Sequence, residues 1–249
     1  MAANLLEEFE IHHISLPLFH VGSHVVSFTN SSLWMLVSVI ASAVLMMAAM
    51  HPQAIVPGRW QMAAETLYNM VTNMVRDAAG DQAKPFFPFI FTIFIFIFFC
   101  NTLGLIPYTL PVTAHIIINF SIAVFLFLVI TITGFVKHGT HFLHLFVPQG
   151  VPKAMLPFMV VIELVSFAVR PFSLSTRLFA NMLAGHLLLI VFGSLTAGLL
   201  AAHWLAGLSI LPLAINVAIT GFEFFVAFLQ AYIYTILAAV YLRDALEMH

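Results

Sequence analysis

The sequence predicts an all-α, multi-span membrane protein. About five helices cross the membrane and one amphipathic helix lies at the interface. The last two crossings are long, strongly tilted and paired as an antiparallel hairpin. Three observations carry this prediction. Of 249 residues, 62% are hydrophobic and 7% charged, whereas a soluble domain has about a quarter of its residues charged, so lipid must be the solvent. Several uncharged stretches reach the ~20 residues that a helix needs to cross the hydrocarbon core. The final two apolar stretches are about twice that length.

Further classes fall away on composition. The net charge is -2, with no basic run, which excludes nucleic acid as a partner. One cysteine, Cys100, permits neither an intrachain disulfide nor a cysteine-rich metal site. The N-terminal MAANLLEEFEIHHISLPLF lacks a basic region before an apolar stretch and does not read as a signal peptide. Being acidic and free of arginine, it does not read as a mitochondrial transit peptide either. The chain is expected to form a single integral membrane domain, 1–249, that begins with an external tail, 1–32.

The first span, 33–50, is uncharged. After Pro52, Pro57 and Arg59, the segment 61–79 places Met62, Leu67, Met70, Val71, Met74 and Val75 near one helical face, with Glu65, Asn69, Thr72 and Asp77 largely elsewhere. That is an interfacial amphipathic helix. Segment 86–106 has no charge and eight phenylalanines. Its partial Phe/Ile alternation suggests a strand, but a lone strand cannot satisfy its backbone in lipid, so it is a helix. With 113–136, also uncharged, it makes a helical hairpin over 86–136. A polar loop, 137–153, follows. The segments 154–200 and 205–242 close the chain, joined near AAHWLAG at 201–207.

Loop charges orient the spans. Arg59, Arg76 and Lys84 follow the first span, Lys137 and Lys153 the third, and Arg243 the last, while the N-terminal tail and 107–115 carry no Lys or Arg. The positive-inside rule therefore places the N-terminus outside and the C-terminus in the cytoplasm. Segment 154–200 is 47 residues long, about 70 Å as a helix against a core of about 30 Å. A protruding part would expose apolar Met155–Val169 to water, so a tilted hairpin, 154–242, is expected instead.

This hairpin carries the chemistry. Glu163, Ser166, Arg170, Ser173, Arg177 and Asn181 follow at intervals of 3, 4, 3, 4 and 4, a polar stripe on one helical face. Arg170, directly before Pro171, reads equally as a snorkelling or loop-buried group. Arg177 is different, because an arginine at membrane depth costs at least about 2.5–3.5 kcal/mol and marks an ion path or a buried partner. Its nearest carboxylate along the helix, Glu163, is fourteen residues away, about 21 Å. Its counter-ion is therefore intermittent or comes from another subunit. On the second member, Asn216, Glu223 and Gln230 recur every seven residues, followed by Tyr234 and Tyr241. Antiparallel pairing about 201–207 brings His186 to the depth of Glu223 and Arg177 to that of Gln230. His186 lies nine residues past Arg177, about 180° round the helix, so the two face different ways. An imidazole beside a buried carboxylate suits proton relay. A satisfied buried pair is the plainer alternative.

SLSTRLFANMLAGHLLLI at 173–190 resembles the hallmark helix of subunit a of rotary F-type ATP synthases. GFEFFVAFLQAYIYTILAAVYL at 221–242 is similar to that family's closing segment, and CNTLGLIP at 100–107 and IELVSFAVRP at 162–171 fit in order. The resemblance spans nearly the whole chain, and its length and style are those of bacterial, alphaproteobacterial members. It implies a stator subunit, not an enzyme on its own, in a bacterial inner membrane. Arg177 is then the essential arginine facing a ring of c subunits, with Asn181 and Gln230 as accompanying polar positions. Some members carry an acid where this chain has His186 and a histidine where it has Glu223, so the pair is exchanged here. Asn101, His115, Asn119, His186, Glu223 and Gln230 would line an outer half-channel, although others often have an acid at His115. Glu163, Ser166, Arg170 and Ser173 would line an inner one. Implied partners are the c-ring carboxylates, peripheral-stalk b-type subunits, other ATP synthase subunits and the lipid bilayer. No cofactor or metal is implied.

Two other readings compete. A stand-alone ion transporter would need its own carboxylate beside Arg177, which the spacing does not supply. A redox protein would use some of the twelve histidines for haem or metal. Most of these lie in tails and loops, and His138, His141 and His144, at i, i+3 and i+6, suit an interfacial turn better than a metal site.

Overall fold

A computed structural model of the chain describes residues 13–21, 24–50, 58–106, 109, 111–146 and 155–246. Six α-helices follow a short β-hairpin. They are α1 (Asn30–Met50), α2 (Arg59–Ala79), α3 (Phe87–Leu103), α4 (Ile116–His138), α5 (Leu156–Ala201) and α6 (Ile210–Leu246). Among the described residues, five helical segments are long and apolar enough to cross a membrane: Asn30–Ala48, Asp81–Leu103, Ile116–Phe142, Leu156–Ala201 and Ala206–Leu246. The all-α multi-span class holds, and each predicted span has its helix. Residues 1–12 of the expected tail, and residues 147–154 with Lys153, lie outside the described residues.

The reading of the tail did not anticipate its hairpin, β1 (His13–Val21) paired antiparallel with β2 (His24–Thr29). The ladder shifts register on both sides of Pro17. A proline has no N–H to give, so a ladder bulges where one sits.

Helix boundaries follow local chemistry. Pro157 lies in the first turn of α5, where the missing N–H would have had no intrahelical partner, while Pro88 and Pro212 lie just past the points where 3₁₀ segments, Asp81–Phe86 and His203–Ser209, pass into α3 and α6. α2 stops at Gly80, whose φ of 69° is left-handed and whose N–H donates to the Arg76 carbonyl at 2.9 Å. α4 stops at Gly139, with φ 58°. Only glycine takes this conformation without strain. A 3₁₀ segment, Gly139–Phe146, follows. Its three-residue period suits the His138, His141, His144 spacing.

The chain forms two compact units. One comprises Met1–Pro52, Ile95–His115 and Leu178–Ala231, the other Gln53–Phe94, Ile116–Arg177 and Tyr232–His249. In the first, α1 packs on the 3₁₀ turn Val112–Ala114. Its interior holds Ile97, Asn101, Thr113, Leu178, Met182, Ala227 and Ala231. Phe98 meets Phe224 and Phe228 edge-on at 6.3 and 6.0 Å. Gly185 and Gly193 on α5 lie against Glu223 and Asn216 on α6, which is the antiparallel order expected of the hairpin.

In the second unit Val71, Met74, Val75 and Ala79 bury the apolar face of α2, and Tyr68 meets Phe87 and Phe91 of α3 at 5.0 and 5.7 Å. Met62, assigned to the same face, is 56% exposed. Ala238, Ala239 and Ala245 of α6 are fully buried. Small residues let helices approach closely where lipid supplies no hydrophobic drive.

Candidate functional site

α5 sorts its residues by face. Pro171, Leu174, Ser175, Leu178, Met182 and His186 are buried, while Ser173, Arg177, Ala180 and Ala184 are exposed. Steps of three and four residues keep each set in line along a helix. His186 and Arg177 therefore point differently, as their spacing requires. Arg177 sits amid apolar helix, permanently charged, and forms no ion pair or hydrogen bond among the described residues. The small residues Ala180 and Ala184, at i+3 and i+7 from it, are exposed as well.

Six of the predicted residues belong to the first unit: Asn101, His115, Asn181, His186, Glu223 and Gln230. Glu223 is 9% exposed and His186 7%. The Glu223 carboxyl group lies against the α5 backbone at Gly185, where a Cβ would collide with it. Neither of its oxygens has a hydrogen-bond partner among the described residues. An ionised carboxylate is costly in such a place, which suits the group to taking up and passing on a proton. Asn101, 1% exposed, donates from Nδ2 to the Ala227 carbonyl at 3.4 Å, and its Oδ1 has no partner. His115 stands between α3 and α4, outside the spans, and burial pushes its imidazole below the ordinary 6.5. Asn181 and Gln230 are half-buried. Asn216, on the Glu223 stripe but not among the predicted site residues, also has a buried, unpartnered Oδ1. Its position seven residues before Glu223 is the signal that marks it.

The second unit holds Glu163, Ser166, Arg170, Ser173, Arg177 and Asn119. Ser166 lies in a shallow apolar groove with Val161, Ile162, Val165 and Val169. Ser173 is exposed, Glu163 half-buried, and Asn119 fully buried at 0%. Arg170 is turned away from these. Its Nη1 donates to Asp244 Oδ2 at 3.0 Å, and its guanidinium stacks over Tyr241 at 4.7 Å and Phe167 at 5.6 Å. Asp244 was missed because it lies past 242, the predicted end of the last span. No spacing rule links it to a residue 74 positions earlier.

Comparison with known proteins adds a separate finding. Residues 32–243 match the sequence model of a family described as ATP synthase A chain. Similar proteins include ATP synthase subunit a of Pelagibacter ubique, 46% identical over 250 residues and the full length of both chains. That of Parvibaculum lavamentivorans is 52% identical over 93% of this chain and 89% of the relative. That of Mesorhizobium japonicum is 47% identical over 99% of each.

Proposed function

The chain belongs to the ATP synthase A chain family, and from that premise we propose that it is the proton-conducting stator of the synthase's membrane sector. It is not an enzyme alone. It offers two offset half-channels to a ring of c subunits in a bacterial inner membrane, and works with peripheral-stalk b-type subunits and the rest of the complex. Its N-terminus is periplasmic and its C-terminus cytoplasmic.

The observation that carries this reading is Arg177, a cation on a membrane-length helix, exposed and without a carboxylate of its own chain among the described residues. Such a group needs an outside partner, and a rotor carboxylate that arrives and leaves supplies one. Protons enter past Asn101, His115, Asn119, His186, Glu223 and Gln230 and neutralise a ring carboxylate, which then turns into lipid. After nearly a full turn the proton leaves past Glu163, Ser166 and Ser173, with Arg170 at that end. Arg177 cannot release a proton, so it carries none between the two paths. It favours the ionised form of each carboxylate that reaches it. Each proton moving down 100 mV yields about 2.3 kcal/mol, so several are needed per ATP. The buried, unpartnered Glu223 carboxyl supports the outer path.

The test separates path from barrier. In membrane vesicles, Glu223→Ala should lower ATP-driven proton pumping and also passive proton flux once the ATPase head is removed, each by about tenfold, equivalent to ~1.4 kcal/mol of barrier. Unchanged passive flux would remove Glu223 from the path.

A further inference from the structure

Cations from α4 and α5 converge on the last turn of α6. Lys137 Nζ donates to the Leu246 carbonyl oxygen at 3.2 Å and to Gln82 Oε1 at 2.6 Å. His138 Nε2 lies 3.2 Å from the same carbonyl. A carbonyl only accepts, so the ring carries its proton at Nε2. Arg170 adds its pair with Asp244 at 3.0 Å. Ala245 and Leu246 are buried, 2% and 5% exposed. The last carbonyls of a helix have no donor within the helix and carry the negative end of its dipole. Here a neighbouring helix supplies the donors. Consecutive residues on a helix face about 100° apart. Lys137 and His138 reach one oxygen because α4 ends there, at left-handed Gly139. Gln82, from the 3₁₀ segment Asp81–Phe86, holds the ammonium in place.

The opposite end of α6 is held differently. Leu211, Val217, Phe222 and Phe225 are 65%, 67%, 65% and 56% exposed, and between Ile210 and Phe225 only Pro212 and Glu223 are buried. The packed stretch of α6 runs from Ala227 to its C-terminus, with Ala231, Tyr234, Thr235, Ala238, Ala239 and Leu242 buried between.

We propose that Lys137 and His138 form a latch on the C-terminus of α6 and act as positioning residues for proton transfer. They fix the register of α6 along α4, and through a stiff helix they set the depth of the polar side chains that α6 carries. A slip of one turn is about 5.4 Å, further than a hydrogen bond reaches. This role rests on the proton-conducting function proposed above.

The test uses the intact complex in vesicles. Lys137→Ala with His138→Ala should speed hydrogen exchange at the end of α6 by about tenfold and raise several-fold the ratio of passive proton leak to ATP-driven pumping, per assembled complex. Lys137→Arg with His138→Gln keeps a donor at each position and should leave both near wild type. If the double alanine variant does not assemble, His138→Ala alone, with His138→Gln as its rescue, is measured instead. Unchanged exchange overturns the latch. Faster exchange with an unchanged leak-to-pumping ratio overturns the positioning role and leaves a helix cap. A failure of the underlying function would look different: wild-type vesicles would not couple proton movement to ATP at all.

Discussion

At the scale of single residues, the chemistry is set by which side chains find partners. Glu223 fits only because position 185 is glycine. A Cβ there would meet the carboxyl group at the end of a flexible side chain, so Gly185→Ala should displace the Glu223 carboxyl group at little cost in stability. Passive proton flux should fall with it, and Glu223→Asp, one methylene shorter, should restore part of the loss. His115 gives a second prediction. Burial disfavours its charged form, so its folded-state pKa is depressed. The stability that the neutral His115 contributes is whole above 6.5, and that contribution is lost as pH falls toward and through the lower folded value. Titration of His115 by NMR in the intact complex should therefore give a midpoint below 6.5, and a midpoint above it would contradict the burial. Arg177, His186, Glu223 and Gln230 were conspicuous in the sequence as candidates because charged and polar groups are costly within apolar helices and stand out. Asp244 was not, because ion pairing across 74 residues depends on how helices pack, which no local pattern encodes.

At the scale of elements, periodicity and length made the helices legible, and loops were less so. The spans, the amphipathic α2 and the turn near 201–207 were all expected. The β-hairpin went unread even though Ile14, Leu16 and Leu18 alternate with His13, Ser15 and Pro17, the period of a strand. Pro17 argues against a regular ladder, and the strand accommodates it by shifting register. Another contact no pattern foretells is that of Gly134 on α4, where an added Cβ would run into the Phe142 ring. Phe142 is 1% exposed and closes the 3₁₀ segment back onto α4. Gly134→Ala should destabilise this corner by about 1–3 kcal/mol, seen as faster hydrogen exchange over 139–146, and Phe142→Leu should relieve it. The Arg170–Asp244 pair has side chains 20% and 37% exposed and is more sheltered than the pairs of Asp81 with Arg76 and Lys84. Arg170→Asp with Asp244→Arg should recover more stability than either single change, which a double-mutant cycle measures. The exposed pairs of Asp81 with Arg76 and Lys84 should contribute little measurable stability, because solvent screens them.

At the scale of the whole molecule, five helical segments among the described residues are long and apolar enough to cross a membrane; five crossings would put the two termini on opposite faces, and the proposed orientation rests on the distribution of Lys and Arg. Impermeant labelling of cysteines placed near residue 2 and residue 248 should modify only the first from the periplasmic side. Modification of both from one side would require an even number of crossings. The candidate residues also divide between the two units. Glu163, Ser166, Ser173 and Arg177 fall in one compact unit, and Asn101, His115, His186, Glu223 and Gln230 in the other. Asn119 lies in the unit with Arg177.

The central claim is that Arg177 is the barrier and electrostatic guide between two proton paths. It is tested most directly by proton flux in vesicles carrying Arg177→Ala or Arg177→Lys, with the ATPase head removed and then restored. The account predicts that ATP-driven pumping disappears in the alanine variant while passive proton leak persists or rises. Pumping at normal coupling in that variant would contradict it and favour the stand-alone transporter instead.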